Sequence, residues 1–174
     1  MAKPGKTLRR IKMVLFMALL SIVFVTAVSA VHLATRKMIA RNDSIFTKRS
    51  ILYTAGIPVP GSQQELDNVF KAHVRLIPRD KLQLYEVKFN GRLSWVITAS
   101  GSGLWGEIRA HVGIGSDFLT ITGVNFIEQN ETPGLGARIS ELWFREQFRG
   151  KKGPLRRVPE GTKSKKPRVF DAIT

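Results

Sequence analysis

Two short stretches of this chain hold the residues whose types and spacing could do chemistry. In the first, Ser100-Gly101-Ser102-Gly103 runs into Leu104-Trp105-Gly106. Such a run can form a backbone nest for an anion, or it can be a β-connection that needs glycine for its turn. Trp105 falls in this loop, where it can offer a stacking face to a planar ligand or plug the core from a loop. The second stretch is Glu131-Thr132-Pro133-Gly134-Leu135-Gly136-Ala137. Proline fixes one φ there and two glycines free others, so backbone amides can approach a ligand closely. The plainer reading is an ordinary β-to-helix loop. Leu135, between two glycines, is an exposed apolar tip unless something covers it.

The rest of the inventory mostly excludes. There is no cysteine. Disulfides, thiolate zinc sites, a cysteine nucleophile and cysteine-ligated iron–sulfur clusters on this chain are ruled out. Redox chemistry would need an organic cofactor or another subunit. The three histidines, His32, His73 and His111, are scattered, and neither a Ser/His/Asp arrangement nor paired catalytic carboxylates is visible. Gly101, Gly103 and Gly106 have the spacing of a dinucleotide fingerprint, but no parallel βαβ unit surrounds them.

These stretches must be positioned by a modest domain with an attachment, since the chain has 174 residues, 43% of them hydrophobic. Its formal net charge is +15, a balance that suits anionic lipid, nucleic acid or an acidic protein. Met13 to Leu33 carries no formal charge, and as a helix it would match the hydrocarbon thickness of a membrane. The basic start and Val28-Ser29-Ala30 also suit a cleaved signal peptide, but the apolar run is longer than a signal core, which favours a retained anchor. Basic residues flank the span on both sides; the denser group at the chain start favours a cytoplasmic N-terminus and an outer domain. The expected parts are a basic tail at 1–12, an anchor at 13–34, a juxtamembrane helix and linker at 35–61, and a domain over 62–174.

Within that domain Ser62 and Glu65 predict a capped helix through Leu66, Val69, Phe70 and Val74, closed by Pro78. Asn90-Gly91 between two alternating runs predicts a hairpin, because both residues accept φ > 0. Residues 100–106 read as a loop, 107–114 and 118–128 as strands, and 140–148 as a helix capped by Ser140. Arg149 to Arg168 holds nine basic residues and one acid, Glu160; it reads as a solvated loop or one lying on anionic headgroups. Lacking interleaved aromatics, it is a poor nucleic-acid site. Val169-Phe170 opens a closing segment. Helices followed by an antiparallel meander make this an α+β fold.

Ser102 to Gly106 with the strands that follow, the run Glu128 to Ala137, then Trp143, Phe144, Phe148 and Gly150-Lys151 resemble the FMN-binding domain family. Its members include the NqrC component of the sodium-translocating NADH:quinone reductase and the RnfG component of the Rnf electron-transport complex. The Glu-Thr-Pro-Gly-Leu-Gly stretch carries most of the likeness, which covers roughly residues 10–174. It implies one N-terminal transmembrane helix followed by an antiparallel-sheet FMN-binding domain with flanking helices. It also implies FMN joined through its phosphate to a threonine, in a motif reading Asp-x-x-Ser/Thr-Gly-Ala-Thr. Asp171-Ala172-Ile173-Thr174 matches the first four positions. The acceptor would fall three residues past Thr174, so the likeness implies a domain truncated at its C-terminus.

By the same likeness, Gly103, Leu104 and Trp105 would sit on one side of the flavin ring. Glu131, Thr132, Pro133, Gly134, Leu135 and Gly136 would offer amides and an apolar wall on the other. Arg109 or Arg138 would stabilise reduced, anionic flavin. The implied role is a membrane-anchored flavoprotein subunit that relays electrons inside an ion-translocating oxidoreductase complex, with the other integral subunits as partners. It would sit in a bacterial inner membrane with its domain on the outer, periplasmic side. The other reading is a non-flavinylated, truncated paralogue that serves as an anchored scaffold.

Overall fold

The computed structural model describes residues 4–79, 82–163 and 165–173. The chain separates into two compact units, 1–44 and 45–174. The first is the greater part of a helix, α1 (Pro4–Thr54). Between Lys6 and Ala55 the sequence holds neither glycine nor proline, so nothing breaks the hydrogen-bond ladder. Large apolar side chains of the first unit are exposed, Val14 and Phe16 among them. Among the described residues it is the helix long and apolar enough to cross a membrane.

In the second unit α1 ends in a Schellman turn. The Gly56 amide bonds the Tyr53 carbonyl at 3.1 Å and the Ile57 amide bonds that of Leu52 at 2.9 Å. Gly56 takes φ +78°, which only glycine adopts cheaply, and Ile57 is buried behind it. Ser62 then caps α2 (Gln63–His73), accepting the Glu65 amide. The helix is shorter than its spacing predicts: Val74 is already extended and opens β1 (Val74–Arg79). Pro78 is tolerated in β1 because this is an edge strand.

An antiparallel meander follows, in the order β1-β2-β3-β4-β5, with β2 at Leu82–Phe89, β3 at Arg92–Ser102, β4 at Glu107–Gly115 and β5 at Ile121–Glu128. The predicted hairpin is present, with Asn90 at φ 50° and Gly91 at φ 72°. Two expectations shift. Ser100, Gly101 and Ser102 are strand, paired with Arg109, Ile108 and Glu107, so the loop is only 103–106. Phe118 sits in a turn at φ 54°, so β5 starts three residues late.

Alternating side chains give the sheet two covered faces. On one, Ile51 and Leu52 of α1 and Leu66 of α2 pack with Val87 and Val96. The end of α1 comes unusually close there. A Cβ on Gly113 would lie 2.4 Å from the Thr54 carbonyl oxygen, and one on its cross-strand partner Gly123 2.8 Å from the same atom. Beside this contact Ser50 is a buried hub. Its Oγ lies 2.7 Å from His111 Nδ1 and accepts from Asn125 Nδ2 at 2.8 Å. Desolvation, with help from Arg109, lowers the His111 pKa from 6.5 to about 4.

On the other face Ala110 and Val124 pack with Phe144 and Phe148. These come from α3 (Leu142–Glu146) and the turn after it. The helix expected over 140–148 is instead a 3₁₀ turn (Gly136–Ser140) and then α3, whose N-cap is Glu141 rather than Ser140. Finally β6 (Arg156–Val158) pairs in parallel with β7 (Val169–Asp171), which adds a strand inside the stretch read as a loop.

Candidate flavin site

Register brings the two candidate loops together. Ser102 pairs with Glu107, and Arg109 with Glu128, so the 103–106 turn and the loop after β5 leave the same end of the sheet. One carboxylate then joins them. Glu131 Oε1 accepts the backbone amides of Leu104 at 2.9 Å and Trp105 at 3.1 Å. The Trp105 indole donates to Thr132 Oγ1 at 3.1 Å. The Glu131 amide in turn donates to Gln129 Oε1 at 2.8 Å.

The glycines make room for this brace. A Cβ on Gly103 would lie 2.2 Å from Glu131 Oε1, and one on Gly136 2.9 Å from the Glu131 Cβ. Their lack of a side chain admits Glu131, a tenant of the chain's own. Gly134 takes φ +76°, and the Leu135 and Ala137 amides both bond the Thr132 carbonyl. That closes the loop into a compact turn ahead of the 3₁₀ segment.

Behind this turn lies a cavity of about 300 Å³. Ile108, Ile139, Phe144 and Phe170 supply its apolar walls. Leu135 and Gly136 border it from the loop, and Ala172 and Ile173 from the C-terminal run. Its charged lining residues are Glu131 and Arg157. Of the predicted residues, the structure therefore brings Glu131, Leu135 and Gly136 onto the cavity. Gly103, Leu104, Trp105, Thr132, Pro133 and Gly134 form the braced rim outside its lining. Leu104 and Trp105 are exposed, at 81% and 68%, and Leu135 at 57%. Thr174 lies outside the described residues.

Asp171, where the expected attachment motif would begin, is buried; its carboxylate accepts the Lys163 amide at 2.8 Å. Its own amide donates to Gln147 Oε1 at 2.7 Å. These bonds hold the C-terminal run against α3. The two arginines considered for tuning are engaged: Arg109 pairs with Glu128 at 3.1 Å. Arg138 bonds both Glu160 oxygens, at 2.6 and 3.2 Å, and stacks over Trp143. Sequence reasoning did not single out Arg157, Phe170 or Ile139. The first two lie in three-residue strands too short to show alternation.

Residues 103–174, which build this site, match the FMN-binding domain family. The RnfG-type relative in the Na(+)-translocating ferredoxin:NAD(+) oxidoreductase complex of Acetobacterium woodii is 38% identical over 100 residues, 56% of this chain and 47% of the relative. The NqrC-type relative in the Na(+)-translocating NADH-quinone reductase of Chlamydia pneumoniae is 46% identical over 57 residues, 33% of this chain and 18% of the relative. The chain thus spans less than half the length of either relative. The crystal structure of the NqrC-type protein from Parabacteroides distasonis has a TM-score of 0.66 at 23% identity, covering 79% of this chain and 83% of that one. NqrC of Shewanella oneidensis scores 0.68 at 22% identity, covering 78% and 85%. At such identities the likeness shows the fold: a five-stranded antiparallel sheet with flanking helices. The family match covers residues 103–174 of the chain, and the two solved structures share its fold.

Proposed function

We propose that this chain is the FMN-bearing subunit of an ion-translocating oxidoreductase complex of the kind its relatives are named for, and that it relays electrons there. The observation that carries this reading is the apolar cavity, built on the segment that matches the family and bordered by Leu135 and Gly136. The cavity fits the group: its walls are aliphatic and aromatic, as a planar ring system needs, and its polar groups are few. Phe144, Phe170 and Ile139 would hold the ring, Leu135 and Gly136 would border it, and Gly103, Leu104 and Trp105 would flank its exposed edge. Thr132, Pro133 and Gly134 keep that rim in shape, and the Glu131 brace fixes the two loops relative to one another. A flavin supplies reversible uptake and release of electrons. The chain's own contribution is to orient the ring and to limit water around it.

Residues 13–34 would anchor the chain in a cell membrane with the domain on the outer side, beside the other integral subunits. FMN would be held as a phosphoester on a threonine in the motif that starts at Asp171, with Thr174 at its earlier hydroxyl position. The test is expression with the sequence that follows residue 174 in the genome, together with a flavin transferase. A band that fluoresces under ultraviolet light after denaturing electrophoresis supports the covalent carrier. A dark band at full yield overturns it. A reporter fused after the domain tests the orientation; signal from the cytoplasm refutes the outer placement.

A further inference from the structure

The cavity has one cation in its lining, Arg157. Arg109 and Arg138, the two arginines considered for tuning, are held by Glu128 and Glu160. Arg157, by contrast, has no ion pair or side-chain hydrogen bond among the described residues. It is exposed, so its guanidinium lies at the mouth rather than in the interior. In the parallel pair its strand partner is Phe170, a wall of the same cavity. The remaining charged lining group, Glu131, already accepts two backbone amides. An apolar chamber with one unpaired cation at its mouth is complementary to an amphipathic anion: a flat apolar body inside and a charged tail at the rim.

We infer that Arg157 is the phosphate-recognising residue of the site, the one that makes it select a phosphorylated flavin over the unphosphorylated one. The inference rests on the flavoprotein reading above. Two physical points favour the phosphate over the ring as the partner of Arg157. A phosphate left in the apolar interior would lose its hydration with little return, whereas at the rim it keeps water and gains the guanidinium. The planar fork of arginine also matches phosphate oxygens in pairs. The neighbouring Arg156 and Arg168, which border the same strand pair, add a positive field that draws an anion toward this mouth.

The experiment compares FMN with riboflavin, which differ only in the phosphate, on the 174-residue chain in detergent without attached cofactor. Binding is followed by quenching of flavin fluorescence. The chain should bind FMN on the order of tenfold more tightly than riboflavin, as a charge-assisted pair at a partly solvated rim allows. That preference should shrink as salt is raised. Arg157→Gln should bring the two flavins to equal affinity, and Arg157→Lys should keep most of the preference. Equal binding of both flavins by the unaltered chain, or an undiminished preference in Arg157→Gln, overturns the role of Arg157 and leaves the flavoprotein reading standing. If the unaltered chain binds neither flavin, the role of Arg157 falls, while the flavoprotein reading stands or falls with the fluorescent band described above.

Discussion

Mild acid should loosen this domain through one buried ring. His111 is 2% exposed, sits beside the Ser50 hydroxyl, and titrates at about 4 rather than 6.5. Below the unfolded value the unfolded chain takes up a proton that the folded one refuses until about pH 4. The contribution of His111 is therefore fully present above pH 6.5, is lost as the pH falls toward 4, and changes no further below that. The interval from 6.5 to about 4 corresponds to about 3 kcal/mol, of which roughly 2 kcal/mol is gone by about pH 5. Carboxylates respond lower down. Asp117 is held at about 2, first by the Thr120 hydroxyl and then by the Thr120 and Leu119 amides, so its window lies below the ordinary 3.8. All three tryptophans, Trp95, Trp105 and Trp143, lie in the second unit, so their emission reports its unfolding alone. Guanidinium titrations of the detergent-solubilised chain should show the loss between about pH 7 and about pH 5, and His111→Gln should flatten it. A His111 resonance titrating near 6.5 in the folded protein would refute the reasoning, as would equal pH slopes for both proteins.

Other outcomes follow from contacts already described. Gly113→Ala sets a Cβ 2.2 Å from Thr122 Oγ1 and 2.4 Å from the Thr54 carbonyl; overpacking of this kind costs about 1–3 kcal/mol, visible as a lower melting temperature. Phe144→Ala removes a ring that touches those of Phe126, Trp143, Phe148 and Phe170, and should cost about 3–5 kcal/mol in a denaturant titration. Removing the neutral pair together, Arg138→Ala with Glu160→Ala, should leave the reduction potential of bound flavin in place, because the two charges already cancel. The same change should speed proteolysis near residue 160; a large potential shift would show that the two charges do not cancel at the flavin.

The sequence exposed what local chemistry fixes. Asn90-Gly91 and the Ser62 cap specify their own backbone geometry, and both appear where expected. The oddity of residues 131–136 was also visible, but not its cause: Gly136 and, from the other loop, Gly103 yield to the Glu131 side chain, and the contact with Gly103 is set by β4–β5 register rather than by neighbours in sequence. Val74 misled because it continues the helical spacing of Val69 and Phe70, while pairing with Val87 draws it into the sheet. Arg157 was hidden for a similar reason. Its strand is three residues long, and its partner lies across a basic connection that carries no pattern.

Residues 45–54 carry a practical lesson for anyone cutting this chain. They are the tail of a long apolar helix, yet Ser50, Ile51, Leu52 and Thr54 are sealed inside the second unit at 0–2% exposure. A water-soluble fragment should begin ahead of Ile45. One begun at Ser62, after the whole helix, would tear out two large aliphatic side chains at about 2–5 kcal/mol each and strand His111 and Asn125 without their hydroxyl. That sum rivals the entire folding free energy of an ordinary domain, so the shorter fragment should be recovered as aggregate.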